Sequence, residues 1–337
     1  MTLNWQGPFS CRSRRGSILI IVLWSIFFLA TMAVAVNAYV WPRINFADKF
    51  MTKAEAHYLA EAGVKRAMVE IKNDKTEDYD CLTDLWSSSA NAFKDVALDG
   101  GTFSVVGAYP SARAPDDSPT IYGLIDEERK ININKASYDV LKRFFEMTEG
   151  VPAEKAVMIA AAVVDWRDKN DDSTEDEDTE DGYYSTLSPA GYHCKNKDFE
   201  VLEELLLVRG MTYEIFNKVK DRLTVYTDGP VNINTADEAV LRGLGLSGGL
   251  IEKIARFRHD NAFMAADTIA DTLNDAEGLS NSEVAEINKA FSQGLLAVRS
   301  DNFMGHSCGR VGMRPGEARI TFVFNRNKKT IKYWREE

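Results

Sequence analysis

An uncharged apolar run near the N-terminus is the feature that most constrains what this chain can fold into. Residues 16–42 carry no charge, whereas Arg12, Arg14 and Arg15 lie before the run without any accompanying acid. A helix of about 20 apolar residues is long enough to span a bilayer. Because a basic flank is retained on the cytoplasmic side, the sequence predicts one membrane-spanning helix with the rest of the chain outside the cytoplasm.

Four kinds of N-terminal segment could carry such a run. A secretory signal needs a small-residue cleavage site after the run, and Asn37-Ala38-Tyr39 is a poor one. A lipoprotein signal is excluded because Cys11 precedes the apolar residues instead of following them. Two kinds remain compatible with the residues: a prepilin leader, cut between Gly16 and Ser17, and an uncleaved signal anchor.

Apolar residues continue at helical spacing beyond Pro42. The series begins with Phe46 and Phe50 and reaches Met68, with charged residues between its members. The pattern predicts one helix over residues 17–73, about 85 Å long, with a kink or a junction at Pro42. An apolar first half followed by an amphipathic second half resembles a pilin helix, in which one half packs among neighbouring subunits and the other against its own head.

Strand-like patterns flank a long helical region in the remainder of the chain. Alternation begins at Gly100-Gly101, a second strand is expected within Ile121–Ile133 with a break near residues 126–128, and residues 319–334 indicate a β-hairpin. Because helical periods dominate between these regions, the expected fold class is α+β, a β layer split by a large helical insertion. The predicted divisions are residues 1–16 (leader), 17–73 (helix), 74–134 (first part of the head), 135–292 (inserted helical domain) and 293–337 (C-terminal strands of the head).

An internal repeat lies inside the helical region. The segment Ile131–Ala136 recurs 100 residues later as Val231–Ala236. Residues 241–258 then resemble a helix–hairpin–helix, which can present glycine amides to a DNA phosphate. Basic residues that could assist are Arg242, Lys253, Arg256 and Arg258. However, 40 basic against 51 acidic residues give a net charge of −11, and acidic surfaces repel DNA. We therefore favour a helix-packing module without nucleic acid.

Residues 165–181 form a strongly acidic loop with ten acids and two bases. A charge run is usually a solvated segment, but Asp168, Asn170 and Asp172 alternate as oxygen ligands of calcium do. The loop is not an EF-hand, since Ser173 stands where that motif needs glycine. Crowded carboxylates repel one another unless a cation neutralises them. The residues alone leave a calcium site and a solvated run equally open.

Several short segments together carry a family resemblance. They are Arg14-Arg15-Gly16-Ser17, Leu23-Trp24, Asn-Ile-Asn at 132–134 and 232–234, Asp165-Trp166-Arg167-Asp168, Glu180-Asp181, Tyr184, Tyr192, Asn196, Glu203-Glu204-Leu205, Val208-Arg209-Gly210-Met211 and Tyr333-Trp334-Arg335-Glu336. This combination resembles the K-type minor pseudopilins of type II secretion systems over nearly the whole chain. The block from residue 165 to residue 211 is its most specific part.

The resemblance implies a pilin-like head with an antiparallel sheet, an inserted all-α domain, and calcium bound by the acidic loop. The residues at matching ligand positions are Asp168, Asn170, Glu180 and Asp181, and Asp172 is taken as a fifth. Asn170 stands where an aspartate is more usual in that family, and an amide oxygen also ligates calcium.

The resemblance further implies a place at the tip of the pseudopilus, where the protein promotes filament assembly for export across the outer membrane. Major pilins carry a glutamate as the fifth mature residue, which neutralises the N-terminal amine of a neighbouring subunit, whereas this position is Ile21 here. The implied partners are other minor pseudopilins, the major pseudopilin, the prepilin peptidase, which cuts after Gly16 and methylates Ser17, and the inner membrane. The head is expected in the periplasm, without nucleic acid.

Two other functions stay open at this point, namely a membrane-anchored DNA-uptake protein and a minor pilin of a type IV pilus. The second should lack the large insertion. An enzyme is not expected, because the four histidines are scattered and no phosphate-binding loop occurs. An oxidising compartment would permit one disulfide among Cys81, Cys194 and Cys308.

Overall fold

A single long helix dominates the N-terminal part of the protein. The computed structural model describes residues 15–107, 120–169, 180–187, 190–312 and 316–337, without the side chains of residues 15–17, 180 and 181. Helix α1 spans Arg15–Lys72 and continues through Pro42. Its side chains are exposed up to Met51, apart from a half-buried Asn45, and one face becomes buried from Thr52 onward. The long helix expected from the sequence is confirmed.

The head contains a six-stranded antiparallel sheet. In chain order the strands of the described residues are β1 (Val96–Leu98), β2 (Gly101–Val106), β3 (Ile125–Asp126), β4 (Ile131–Asn132), β5 (Leu223–Thr224), β6 (Val231–Asn232), β7 (Leu296–Ala297), β8 (Asn302–Val311), β9 (Glu317–Asn325) and β10 (Thr330–Glu336). The sheet has the order β1-β2-β8-β9-β10, and β3 pairs with β8 beside β2. The predicted C-terminal hairpin is confirmed as β9 and β10.

The amphipathic half of α1 lies across this sheet. Ser307 Oγ of β8 donates a hydrogen bond of 2.6 Å to the carbonyl oxygen of Ala60. A Cβ atom at Gly309 would lie 2.1 Å from the carbonyl oxygen of Ala56, so only glycine permits this approach. The resulting core includes Phe103 and Phe322, both buried.

The segment Ile121–Ile133 is interrupted at the break that the sequence predicted near residues 126–128. It divides into β3, a 3₁₀ turn at Glu127–Arg129 and β4, and β4 belongs to a different sheet. The side chain of Asp126 accepts a hydrogen bond of 2.8 Å from the backbone N–H of Glu128. This side-chain bond satisfies a backbone group that a continuing strand would pair, and it turns the chain toward the helical domain.

Between β4 and β7 the chain is mainly helical. The shorter helices of the described residues are α2 (Ala90–Phe93) in the head and then α3 (Tyr138–Glu146), α4 (Ala153–Arg167), α5 (Glu180–Ser185), α6 (Tyr213–Val219), α7 (Glu238–Gly243), α8 (Gly248–Asp260), α9 (Ile269–Glu277) and α10 (Asn281–Ser292). The apolar faces of the helices after α2 share one buried cluster, separate from the core beneath α1, to which α2 contributes Phe93. The fold class is therefore α+β with an inserted all-α domain, as expected.

Candidate functional surfaces

The repeated sequence corresponds to two successive modules of the helical domain. The first module (residues 131–227) contains β4, α3, α4, α6 and β5, and the second module (residues 231–300) contains β6, α7, α8, α10 and β7. In each module the first strand pairs in parallel with the last. The two modules share the order of these elements, so the repeat is structural as well as sequential.

Equivalent asparagines, one in each module, bind the backbone of equivalent phenylalanines. Asn134 donates to the carbonyl oxygen of Phe199 at 2.9 Å and accepts from its N–H at 2.8 Å. Asn234 makes the equivalent pair of bonds with Phe263, also at 2.9 and 2.8 Å. Each amide thus substitutes for a strand partner of the phenylalanine.

A half-buried arginine closes each module. Arg167 donates to the carbonyl oxygens of Ile133 and Ala136, and Arg258 donates to those of Ile233 and Ala236 at 2.6 and 2.8 Å. Burial lowers the pKa of the Arg258 guanidinium to about 10. Arg258 is therefore engaged by the backbone of its own module, which agrees with the helix-packing interpretation of this segment.

The other bases of the hairpin-like segment are bound to acids of the same chain. Arg242 pairs with Glu238 at 2.5 Å, Lys253 with Glu283 at 2.8 Å and Arg256 with Glu277 at 3.0 Å. A phosphate backbone would have to displace these carboxylates. The surface of α7 and α8 is thus locally neutralised, which favours helix packing over DNA recognition.

The acidic loop is an insertion in the first module alone. Residues 168–198 connect Arg167 to Phe199 in the first module. In the second module, residues 259–262 connect Arg258 to Phe263. Four residues are therefore enough to connect the closing arginine to the phenylalanine that the asparagine binds. The long connection in the first module is not needed to close the fold, which points to a function of its own.

The structure describes the predicted calcium ligands only in part. Asp168 follows the last residue of α4, with its N–H bonded to the carbonyl oxygen of Val164 at 3.1 Å. Glu180 and Asp181 are the first residues of α5, and only their backbone is described. Asn170 and Asp172 lie outside the described residues. The ligand set therefore stays a prediction.

An aromatic cluster anchors the far end of the inserted segment. The rings of Trp166 in α4 and Tyr184 in α5 meet edge-on with centroids 5.3 Å apart. Tyr184 Oη also accepts a bond of 3.2 Å from the N–H of Arg209. Tyr192 Oη donates to the carbonyl oxygen of Leu207 at 2.6 Å. These contacts explain why those residues stand out in the sequence block, since they fix both ends of the acidic loop to the module.

A second acidic cluster lies in the head, and the sequence did not indicate it. Carboxylate oxygens of Asp74, Asp80 and Asp84 lie within 4.8 Å of one another. Arg326 donates to both oxygens of Asp80, at 3.0 and 2.7 Å, and lies 3.7 Å from Asp74. The guanidinium supplies the positive charge that a metal would supply. Its distance along the chain, 246 residues from Asp80, explains why no local pattern revealed it.

The cysteines do not form the disulfide that the compartment would permit. No disulfide joins Cys81, Cys194 and Cys308 among the described residues, and all three are buried. Burial raises the pKa of the Cys308 thiol to about 11, which keeps it protonated at neutral pH. The thiol of Cys81 contacts Thr83 Oγ1 at 3.1 Å, and that of Cys194 donates to the carbonyl oxygen of Asp165 at 3.6 Å.

The apolar half of α1 has the length and composition of a membrane span. Ile21 lies within it with 62% of its surface exposed, and Ser25 donates to its carbonyl oxygen at 2.8 Å. Gly16 and Ser17 belong to the first turn of the same helix. Cleavage between them stays a prediction.

Comparisons with known proteins show what the chain is similar to. Residues 121–228 match the family model described as "Type II secretion system (T2SS), protein K". One similar solved structure is the crystal structure of the GspK-GspI-GspJ complex from the type 2 secretion system of enterotoxigenic Escherichia coli. The likeness has 17% identity and a TM-score of 0.62, and it covers 89% of this chain and 99% of the matched chain. The chain is therefore similar to protein K of type II secretion systems, by sequence over residues 121–228 and by fold over most of its length. No curated protein matches it.

Both matches favour a minor pseudopilin of a type II secretion system. The structural likeness covers 89% of the chain and shows a shared fold over that part. The family model lies on the end of the head segment and on the first module, which contains the acidic loop. The DNA-uptake protein and the type IV minor pilin are not favoured.

Proposed function

We propose that this minor pseudopilin occupies the tip of the pseudopilus, where it promotes assembly of the filament for protein export across the outer membrane. The helix α1 anchors it in the inner membrane, and its head lies in the periplasm. It acts by assembly and not by catalysis. The observation that carries this proposal is Ile21, an apolar residue where filament subunits need a carboxylate.

The argument from Ile21 is electrostatic. In a pilin filament the N-terminal amine of each subunit lies in an apolar environment, where an unpaired charge is costly. A side chain of isoleucine cannot neutralise the amine of a subunit stacked against it. A chain with Ile21 can therefore end a filament but cannot extend it in both directions.

The partners follow from the same geometry. The exposed apolar half of α1 needs neighbouring helices or lipid to cover it. The similar E. coli chain was solved in a complex with GspI and GspJ, so we expect two other minor pseudopilins beside this chain and the major pseudopilin below. Processing by the prepilin peptidase would leave Ser17 as a methylated N-terminus, which mass spectrometry of the mature protein would detect.

The tip position is tested by moving the missing carboxylate into place. Ile21→Glu should let the protein enter the filament shaft, because the new carboxylate can pair with the amine of the next subunit. The measurement is site-specific crosslinking along isolated pseudopili. Ile20→Glu is the matched control, since it adds the same charge one residue away and should stay at the tip or be lost. Wild-type protein crosslinked throughout the shaft would disprove the proposal.

We also propose that the acidic loop binds calcium to order the first module. The ligands would be Asp168, Asn170, Asp172, Glu180 and Asp181. The donor set fits a hard cation because it offers only oxygen atoms. Support comes from the position of the loop: α4 ends immediately before Asp168, α5 begins at Glu180, and the aromatic cluster holds both helices together.

A further inference from the structure

The head and the helical domain meet at one buried carboxylate. Asp126, in β3 of the head, is 1% exposed. Its Oδ2 atom accepts hydrogen bonds from Asn232 Nδ2 at 3.2 Å, Thr235 Oγ1 at 2.5 Å and Ser300 Oγ at 2.7 Å. Asn232 and Thr235 belong to the second module, and Ser300 lies where the chain returns to the head. One side chain therefore joins the head to the second module and to the returning strand.

Glu128 adds a second buried carboxyl beside the first. Its backbone N–H bonds Asp126 Oδ1 at 2.8 Å, and its side chain also hydrogen-bonds Asp126. Its two carboxyl oxygens accept from the N–H and the Nδ2 of Asn302, at 3.0 and 2.6 Å. Asn302 begins β8, the central strand of the head. The two carboxyls thus fasten the point at which the chain leaves and re-enters the head.

The cations nearest to this pair are committed to other acids. Lys130 contacts Glu127 in the same 3₁₀ turn. Arg326, from the turn between β9 and β10, donates hydrogen bonds to both carboxylate oxygens of Asp80. No described cation is within ion-pair distance of Asp126 or Glu128, so a second negative charge on the pair would lack compensation.

The remaining charged neighbours do not supply a compensating positive charge either. Asp80, which lies in the loop after α1, is itself acidic, and burial raises its pKa to about 7. Asp301, between β7 and β8, is engaged by Arg299 at 3.6 Å and by Asn327 at 2.6 Å. Arg129 lies in the same turn as Glu128 but acts on Arg258. Burial lowers the pKa of Arg258, and the positive charge of Arg129 lowers it further.

We propose that Asp126 and Glu128 form a proton-dependent latch between the head and the helical domain. One proton shared by the pair leaves a single negative charge, which the donors from Asn232, Thr235 and Ser300 stabilise. Loss of that proton places two negative charges in a buried site and weakens the attachment of the second module. The latch needs no metal and is independent of the calcium proposal.

The direction of the pH dependence follows from linkage. Burial raises the pKa of both carboxyls, and the charge of Asp126 raises that of Glu128 further. A carboxyl whose pKa is higher in the folded state stabilises that state at low pH, and this contribution is lost as pH rises through the folded-state pKa. The latch is therefore closed in mildly acidic solution and opens as the solution becomes alkaline.

Hydrogen exchange on the full chain in detergent micelles tests the latch. Protection factors, which correct for the intrinsic base-catalysed rate, would be compared between about pH 6 and about pH 9. We expect residues 231–235 and 300–303 to lose about tenfold in protection, the factor that one unit of pKa difference provides. Helix α4 of the first module is the internal reference and should keep its protection.

Two variants of the same turn separate the latch from ordinary packing. Glu128→Gln keeps the hydrogen-bonding shape without a charge, so protection at the junction should depend much less on pH, with only the contribution of Asp80 remaining. Glu127→Gln removes the partner of Lys130 instead, and should lower protection equally at every pH while the wild-type pH dependence persists. Wild-type protection that does not change with pH, or a Glu128→Gln protein as pH-dependent as wild type, would overturn the proposal. Asp126→Asn provides the same comparison if Glu128→Gln does not fold.

Discussion

The two closing arginines show how much of this domain depends on single side chains. Each guanidinium reaches two carbonyl oxygens at the start of its own module, at the point where a short strand turns into a helix. These carbonyls have no strand partner on that side. The fork of an arginine can satisfy both at once, which a lysine cannot do.

Arg258→Leu should therefore lower the free energy of unfolding by about 3 kcal/mol, because two buried acceptors lose a charged donor. Chemical denaturation of the full chain in detergent would measure the change. Arg256→Leu is the matched control two residues away, with 58% of its side chain exposed in a surface pair with Glu277. It should cost less than about 1 kcal/mol. Similar losses for both variants would contradict the interior role of Arg258.

At the scale of elements, the contact between α1 and β8 determines how the head is built. The helix can approach the strand because Gly309 has no side chain and because Ser307 bonds directly to the helix backbone. The same approach holds the membrane anchor rigidly against the head. A larger residue at this contact would push the helix outward along its whole amphipathic half.

Gly309→Ala should destabilise the head by about 3 kcal/mol, since a Cβ at this position overlaps helix backbone that cannot move away. The measurement is again the denaturation midpoint of the full chain. Gly249→Ala, in the first turn of α8, has its nearest neighbour 3.8 Å away and should leave the midpoint unchanged or slightly raised. An unaffected Gly309→Ala protein would show that α1 is not seated as described.

Sequence patterns predicted the elements whose residues follow one period and missed those shaped by distant contacts. The long helix and the C-terminal hairpin have regular apolar spacing, and both were predicted. Strand β8 was not, because Gly305 and Gly309 interrupt its alternation to make room for Phe322 and α1. The break near Asp126 was predicted, but its role was not, because the bonds that Asp126 accepts come from Asn232, Thr235 and Ser300, all more than 100 residues away.

At the scale of the whole molecule, calcium should act on the helical domain and leave the head unchanged. The melting temperature of the full chain should be higher at millimolar calcium than with chelator. Extracellular calcium sites often have dissociation constants of about 10⁻⁴ to 10⁻³ M. A tenfold excess over the dissociation constant stabilises the folded form by about 1.4 kcal/mol. Magnesium should substitute poorly, because it demands a tighter octahedral geometry.

Asp168→Ala and Asp181→Ala should each remove most of this rise, whereas Glu175→Ala should not. Replacing residues 168–198 by the four residues that connect the second module, His259 to Ala262, is a stricter control. This chain should lose the calcium response entirely while hydrogen exchange of β8 and β9 stays as in wild type. An identical melting temperature of wild type with calcium and with chelator would reduce the loop to a solvated acidic run.

The candidate site was predicted only as far as composition allows. The density of acids and their spacing indicated a cation, and the family resemblance supplied particular ligands. Neither could reveal that the loop is an insertion, because this depends on the equivalence of Arg167 with Arg258 and of Phe199 with Phe263. That equivalence rests on hydrogen bonds from arginine and asparagine side chains to the backbone.

The pairing of β2 with β8 also sets the order in which the protein can take shape during its synthesis. Gly101 lies opposite Val311, so the first strands of the head must wait for a partner from the last part of the chain. Both modules of the helical domain are synthesised before that partner is. Contacts of such long sequence separation form late and slowly, so the head closes last, around a helical domain that has already folded.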